Sequence, residues 1–216
     1  MADITIDNEV IPGTPASGYS TVFVDSTSKE LSTIDDAGKT VTLRPLTNAN
    51  TSNDTSASGN ADAYLASSKL TVPLQDVRAG TTFRWRFVMT KTGAGAATPI
   101  WKVWAGTLGT TGDTTLLTFT MGAQTGVIDT GWCDITVVVQ TAGASGVVEG
   151  AIRFAHGALA VTAATGLGSA FEQFAQAAST PAFNLTTNSL IFGVSVNPGL
   201  SGVWTFQIIT AQLLNV

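Results

Sequence analysis

Charge is scarce in this sequence. Asp, Glu, Lys and Arg together supply 12% of its 216 residues, about half the ~25% usual for globular domains. The ten basic residues form no run, and the net charge is −5. That composition offers no phosphate-neutralising groove and no polybasic membrane patch. Nucleic acid and membrane insertion are therefore not expected. Cysteine occurs once, at Cys133, so an intrachain disulfide is impossible. The alternating pattern around it predicts a small buried apolar residue. Histidine also occurs once, at His156. One His and one Cys cannot assemble a His-based or thiolate metal site, so neither a metal nor any other cofactor is expected. No apolar window reaches the ~18 residues of a membrane-crossing helix. Residues 1–10 carry neither a basic n-region nor an apolar h-region, which predicts no secretory signal peptide and synthesis in a cytoplasm.

What is present is an apolar inventory of 44%, wrapped in Thr, Ser, Asn, Gln and Gly. This composition suits thin strands, tight turns and a chain that hides surface against other copies. Period-two alternation recurs throughout. Phe83, Trp85, Phe87 and Met89 share one face, with Arg84 and Arg86 on the other. Leu117, Phe119 and Met121 align, as do Cys133, Ile135, Val137 and Val139. Val148, Ile152 and Phe154 follow, then Leu190, Phe192, Val194 and Val196, and finally Trp204, Phe206 and Ile208. Such alternation marks half-buried strands, and clusters of Gly, Pro and Asn punctuate them. The expected fold is all-β: an antiparallel β-sandwich or jelly roll with a small N-terminal β meander. One short helix is predicted at residues 169–178. There Ser169 and Glu172 fit a capping box, and Phe171, Phe174, Ala175 and Ala178 fall on one helical face.

Composition divides the chain into three. Residues 1–46 read as a β attachment module, with strands over residues 19–25, 30–34 and 40–43. Its large apolar residues are few: Tyr19, Val22, Phe23, Val24, Leu31, Ile34, Val41 and Leu43. Burying so few side chains falls short of the entropy of ordering the segment, so the meander needs copies of itself or a host surface. Tyr19, Val22, Phe23, Val24, Leu31, Val41 and Leu43 are accordingly the candidate anchoring residues. Residues 47–62, TNANTSNDTSASGNAD, hold no apolar side chain larger than Ala and read as a polar linker. Residues 63–216 hold nearly all large apolar residues and form the jelly-roll domain.

Catalytic patterns are not found. No G-x-S-x-G elbow accompanies His156. Asp35-Asp36-Ala37-Gly38 reads as a turn, lacking the further oxygen ligands of a calcium loop. Glu149 and Glu172 lie far apart in sequence, with nothing to set them across one glycosidic bond. Gly106, Gly109 and Gly112 lack the Lys-Ser/Thr and the strand-to-helix context of a phosphate loop. Arg84 and Arg86 suit a carboxylate or sugar acid, and more simply salt bridges. Of the five tryptophans, Trp85 and Trp204 sit on core faces. Trp104 and Trp132 fall out of phase with them and are the candidates for exposed aromatic contacts.

Three stretches resemble phage virion proteins that carry a jelly-roll domain. They are AGTTFRWRF (79–87) with TKT (90–92) and TPI (98–100), GT (106–107) with GTTGDT (109–114), and GVSVNPG (193–199) with WTF (204–206). PASGY (15–19), FVD (23–25) and DAGK (36–39) resemble the short β module at the base of phage fibres and spikes. The resemblance implies a virion surface protein assembled as a homotrimer in the host cytoplasm, with capsid or tail proteins as partners and no catalytic residues. The leading expectation is a capsid spike or head-decoration subunit, because no repeat of the kind that builds long fibre shafts is found. Its rivals are a tail-fibre or tail-tip subunit that binds a host-surface glycan, and a polysaccharide-degrading enzyme.

Overall fold

Strands form where branched and aromatic residues alternate with Thr, because an extended backbone sends successive side chains to opposite faces. The computed structural model describes residues 8–9, 13–25, 31–38, 40–42, 46–55, 60–72, 77–92, 97–123, 128–158, 171–179, 182–186, 190–200 and 202–214. The chain falls into two compact units, Met1–Pro45 and Leu46–Val216.

The first unit is a four-stranded sheet of β1 (Asn8–Glu9), β2 (Ser20–Asp25), β3 (Leu31–Asp35) and β4 (Thr40–Thr42), in that order. β2, β3 and β4 form the antiparallel meander expected from sequence, and β1 adds a parallel edge to β2. The turn after β3 closes on Gly38, whose φ of 78° few other residues tolerate. Nearby, the Asp36 carboxylate accepts the Gly18 N–H at 2.7 Å.

The second unit is an antiparallel sandwich. Its short leading elements are β5 (Leu46–Ala49), β6 (Asp54–Thr55), β7 (Ala63–Tyr64), a 3₁₀ turn (Ala66–Ser68) and β8 (Leu70–Val72). Eight longer strands follow: β9 (Thr82–Thr92), β10 (Ile100–Gly106), β11 (Thr114–Thr120), β12 (Asp129–Thr141), β13 (Val147–Ala158), β14 (Phe171–Ala178), β15 (Leu190–Asn197) and β16 (Val203–Leu214). One sheet runs β14-β13-β12-β9-β16-β5, with β6 also on β16. The other runs β11-β10-β15-β7, with β8 also on β15. The long strands are nested in sequence: β9 pairs with β16, β10 with β15 and β12 with β13, while β11 lies against β14. This is the rolled-up ribbon of a jelly roll.

The core faces fall where the alternation placed them. Phe83, Trp85, Phe87, Cys133, Ile135, Val137, Ile152, Phe154, Phe192 and Val194 are all buried between the sheets. Phe154 stacks on Trp204 with ring centroids 5.6 Å apart and planes 12° apart. Phe83 stacks on Phe192 at 4.1 Å. Gly150 occupies an inward position because a Cβ there would sit 2.5 Å from the Leu117 side chain.

Three expectations are corrected. Phe171–Ala178 is a strand, not a helix: it pairs with β13 from Phe171 opposite His156 to Ala178 opposite Glu149. Its sequence satisfies both periods, since Ala175 and Ala177 also serve an inward sheet face, where they pack on the core. The edge of β13 decides the matter, because its backbone groups need partners that a helix cannot supply. Ser169 lies outside the described residues. Second, the polar stretch 47–62 does not act simply as a linker, since β5 and β6 hydrogen-bond to β16. Its Asn and Asp side chains replace apolar burial with hydrogen bonds. The Asn48 amide donates to the Lys69 carbonyl at 2.9 Å, and Asp54 accepts the Ser67 N–H at 3.1 Å. Third, Ile208 does not continue the Trp204–Phe206 face. A bulge between Phe206 and Ile208 reverses the phase, leaving Ile208 48% exposed and burying Ile209, Ala211 and Leu213 instead.

Candidate functional site

The outward face of the larger sheet collects polar and aromatic side chains that the core does not use. Its strands are antiparallel and in register, so side chains line up in rows across them. Thr210, Arg86, Asp134, Arg153 and Phe174 form one row across β16, β9, β12, β13 and β14. Gln212, Arg84, Thr136, Ala151 and Gln176 form the next.

In the first row Asp134 accepts from Arg86 Nε at 3.0 Å and Nη2 at 3.2 Å, and from Arg84 Nη2 at 3.5 Å. The carboxylate raises the Arg86 pKa by hydrogen bonding and charge. Arg84 and Arg86 thus serve salt bridges, the simpler of their two sequence readings. The Arg153 guanidinium lies over the Trp132 ring, 5.2 Å from its centroid. Trp132 is half-buried beneath it, and Phe174 stands 70% exposed.

Over the β12–β14 part of the second row lies an open trough of about 180 Å³, lined by Thr136, Val138, Gln140, Glu149, Gly150, Ala151 and Gln176. Its depth comes from side-chain size along β13, where Ala151 is flanked on the same face by Glu149 and Arg153. The Glu149 carboxylate is held from both sides: Gln140 donates to Oε2 at 3.3 Å, and Gln176 donates to Oε1.

The outward face of the smaller sheet is covered by the chain itself around Trp104 and β15, while Thr118 and Thr120 on β11 stay exposed. Trp104, expected to be exposed, is only 6% exposed. Its indole N–H donates to Ser195 Oγ at 2.7 Å, and Lys102 Nζ sits over its ring while pairing with Asp62 at 2.7 Å. Tyr64 reaches across β15 to the space that a Cβ on Gly193 would fill. Burial, and secondarily Asp113, push its phenol pKa up. Trp104 is out of phase with the core, but Lys102 over its ring, Ser195 at its N–H and Tyr64 over its cross-strand partner Gly193 cover that phase.

The candidate anchoring residues separate. Phe23 is buried, together with Ile34, whereas Tyr19 is 70% and Val22 48% exposed and Val24 is half-buried. Leu31 pairs with Val24 and Val41 with Thr33 through the backbone. Their side chains, and Leu43 altogether, lie outside the described residues. Glu149 and Glu172 come onto neighbouring strands. Glu172 is in register with Ala155, six positions from Glu149 along β13. At ~3.3 Å per residue that is about 20 Å, too far to act across one glycosidic bond. His156 lies in β13, two residues before its end at Ala158. Among the described residues no group of three or more His, Cys, Asp or Glu is placed to hold a metal ion.

Sequence reasoning missed Phe174, Gln176, Gln140 and Ala151 as members of one surface. Phe174 was absorbed into the helical reading. For Ala151 the usable signal was the long-small-long sequence of outward residues on a strand.

No family model matches the chain, and no curated protein sequence matches it. Among solved structures it is similar to the CBM2 module of the evolved Dit of Lactobacillus casei BL23 phage J-1. The identity is 7% and the TM-score 0.29, covering 81% of this chain and 99% of that one. It is similar to a chain of infectious bursal disease virus Gx strain, at 8% identity and TM-score 0.28, covering 82% of this chain and 44% of that one. A lectin from Bauhinia forficata in complex with GalNAc is also similar, at 10% identity and TM-score 0.29, covering 91% and 92%. Likeness at this level carries no functional argument.

Proposed function

We propose that this chain is a non-catalytic structural subunit of a bacteriophage virion, a homotrimeric spike or head-decoration protein that attaches through residues 1–46 and presents its jelly-roll domain. The observation that carries this reading is the contrast between its two units. The sandwich has an extensive apolar core of its own. The N-terminal unit, over its described residues, buries Phe23 and Ile34 and leaves Val22 on β2 and Tyr19 just before it exposed. A small sheet with apolar side chains turned outward gains by covering them with other chains. The resemblance of residues 79–87, 90–92 and 98–100, of 106–107 and 109–114, and of 193–199 and 204–206 to phage virion proteins supports the setting, with capsid or tail proteins as the surface that is met.

The test uses particles that lack this protein. Met1–Pro45 fused to a trimeric carrier should bind them, while Leu46–Val216 should stay in solution. Binding by the sandwich alone would reverse the polarity, and binding by neither fragment nor the full chain would end the attachment reading. A second reading, a tail-fibre or tail-tip subunit that contacts a host-surface glycan, is favoured by the exposed Phe174 beside a polar-rimmed trough.

A further inference from the structure

We infer that the trough over Ala151 is a binding subsite for a single ring of a neutral hexopyranose. The inference goes beyond attachment to a particle and does not depend on it.

Shape comes first. About 180 Å³ lies below the ~300–1,000 Å³ of sites that enclose drug-sized ligands. It suits one sugar ring, and its open side lets a longer glycan continue into solvent. The floor is Ala151 and the flank is Val138, an apolar surface that matches the C–H face of a pyranose. Phe174 is the next outward residue before Gln176 on β14, so its exposed ring stands one side-chain position along the strand from the trough lining. An exposed aromatic so placed is a stacking platform.

Polar chemistry comes second. A carboxylate offers about four acceptor sites. Gln140 and Gln176 occupy one on each Glu149 oxygen, which leaves an acceptor site on each. Each carboxamide retains a second N–H and its carbonyl, and Thr136 adds a hydroxyl. The rim therefore presents donors and acceptors together. Vicinal sugar hydroxyls, each able to donate and accept, require that combination. Gln140, Glu149 and Gln176 already fix one another, so much of the side-chain ordering cost of binding is met before the ligand arrives.

Charge comes third. Among the described residues Glu149 is the charged residue of the lining itself, while the neighbouring cations are engaged elsewhere, Arg153 over the Trp132 ring and Arg84 with Asp134. The Glu149 carboxylate disfavours uronic acids, sialic acids and phosphorylated sugars, leaving neutral hexoses as the class.

Calorimetric titration of the full chain tests this, with neutral oligosaccharides of glucose, galactose and mannose in one arm and sialylated and uronate oligosaccharides in the other. At least one neutral series should bind at millimolar concentration or below, and the acidic arm should give no heat. Ala151→Leu, which fills the trough from the solvent side, should abolish that binding. Phe174→Ala, at an exposed position, should weaken it about fivefold. Thermal melts of both variants should match the parent, and both should still bind particles lacking the protein, which separates this site from attachment. Absence of binding across the neutral arm would overturn the inference. So would binding that survives Ala151→Leu, or binding confined to acidic sugars.

Discussion

Trp85 is fully buried, and its indole N–H donates to the Ser68 carbonyl at 2.7 Å. Ser68 in turn accepts the Val194 N–H on its hydroxyl at 2.8 Å. One side chain of β9 thus ties the 3₁₀ turn to the opposite sheet. Trp85→Ala removes that packing and strands the Ser68 carbonyl, and should cost about 3–5 kcal/mol in denaturant melts. Arg84→Ala, one residue away on the outer face, should cost less than about 1 kcal/mol, because Arg86 keeps its two-point contact with Asp134. Equal losses would overturn the assigned strand phase. Cys133 makes a pH-dependent prediction. It is fully buried, and burial first, then Asp134, push its thiol well above the ordinary pKa. The folded state holds the thiol protonated, while the unfolded chain ionises near ~8.5. Its contribution to stability is therefore complete below that pH and declines above it, as the unfolded state alone loses the proton. The melting midpoint should fall between about pH 7 and about pH 9.5, and Cys133→Ala should flatten that slope even though its absolute stability is lower.

At the scale of elements, the bulge in β16 frees the polar groups that a regular ladder would pair, and Asn50 takes them. Its Oδ1 accepts the Ile209 N–H at 2.7 Å, its amide donates to the Gln207 carbonyl at 3.0 Å, and its own N–H reaches the Ile209 carbonyl at 3.1 Å. Asn50→Ala should cost about 1–3 kcal/mol in chemical denaturation, whereas an exposed neighbour such as Thr51→Ala should be near neutral. If the two cost the same, Asn50 does not clamp the bulge. The same residue shows why part of the fold was illegible in sequence. Long strands announced themselves because large apolar residues recur at every second position in β9, β12 and β15. Residues 47–62 contribute through side-chain hydrogen bonds to a distant strand, which composition cannot register. Ile208 looked like a core residue because period two was extended across a bulge that no local signal marks. Phe171–Ala178 was ambiguous because Ala fits either period, and the choice rested on the edge of β13, a tertiary fact. The candidate site suffered in the same way. Glu149 and Trp132 were visible one by one, but only the register of β12 and β13 places them on one face, with Arg153 between them.

At the scale of the whole molecule, the boundary between the two units decides which part stands on its own. Composition puts the sandwich boundary at residue 63, whereas the compact units divide after Pro45. The interval matters energetically. Residues 46–62 bring β5 and β6 onto β16, and with them the Asn48 contact to Lys69, the Asn50 clamp and the Asp54 contact to Ser67. The same interval supplies Asp62, whose pair with Lys102 at 2.7 Å is largely shielded from solvent, and Asn60, which accepts from the Asn197 amide at 3.1 Å. Cutting at residue 63 would leave β16 with an unpaired edge and its bulge without a partner. A fragment of Leu46–Val216 should therefore melt close to the full chain's main transition, while a fragment of residues 63–216 should melt roughly 10 °C lower. That figure follows from losing several net hydrogen bonds at about 1 kcal/mol each, with about 2–4 °C per kcal/mol in a domain of this size. Differential scanning calorimetry at one protein concentration and pH makes the comparison. Equal midpoints would return residues 46–62 to the status of a linker, and a lower midpoint for Leu46–Val216 than for the full chain would show that the sandwich draws stability from the N-terminal sheet.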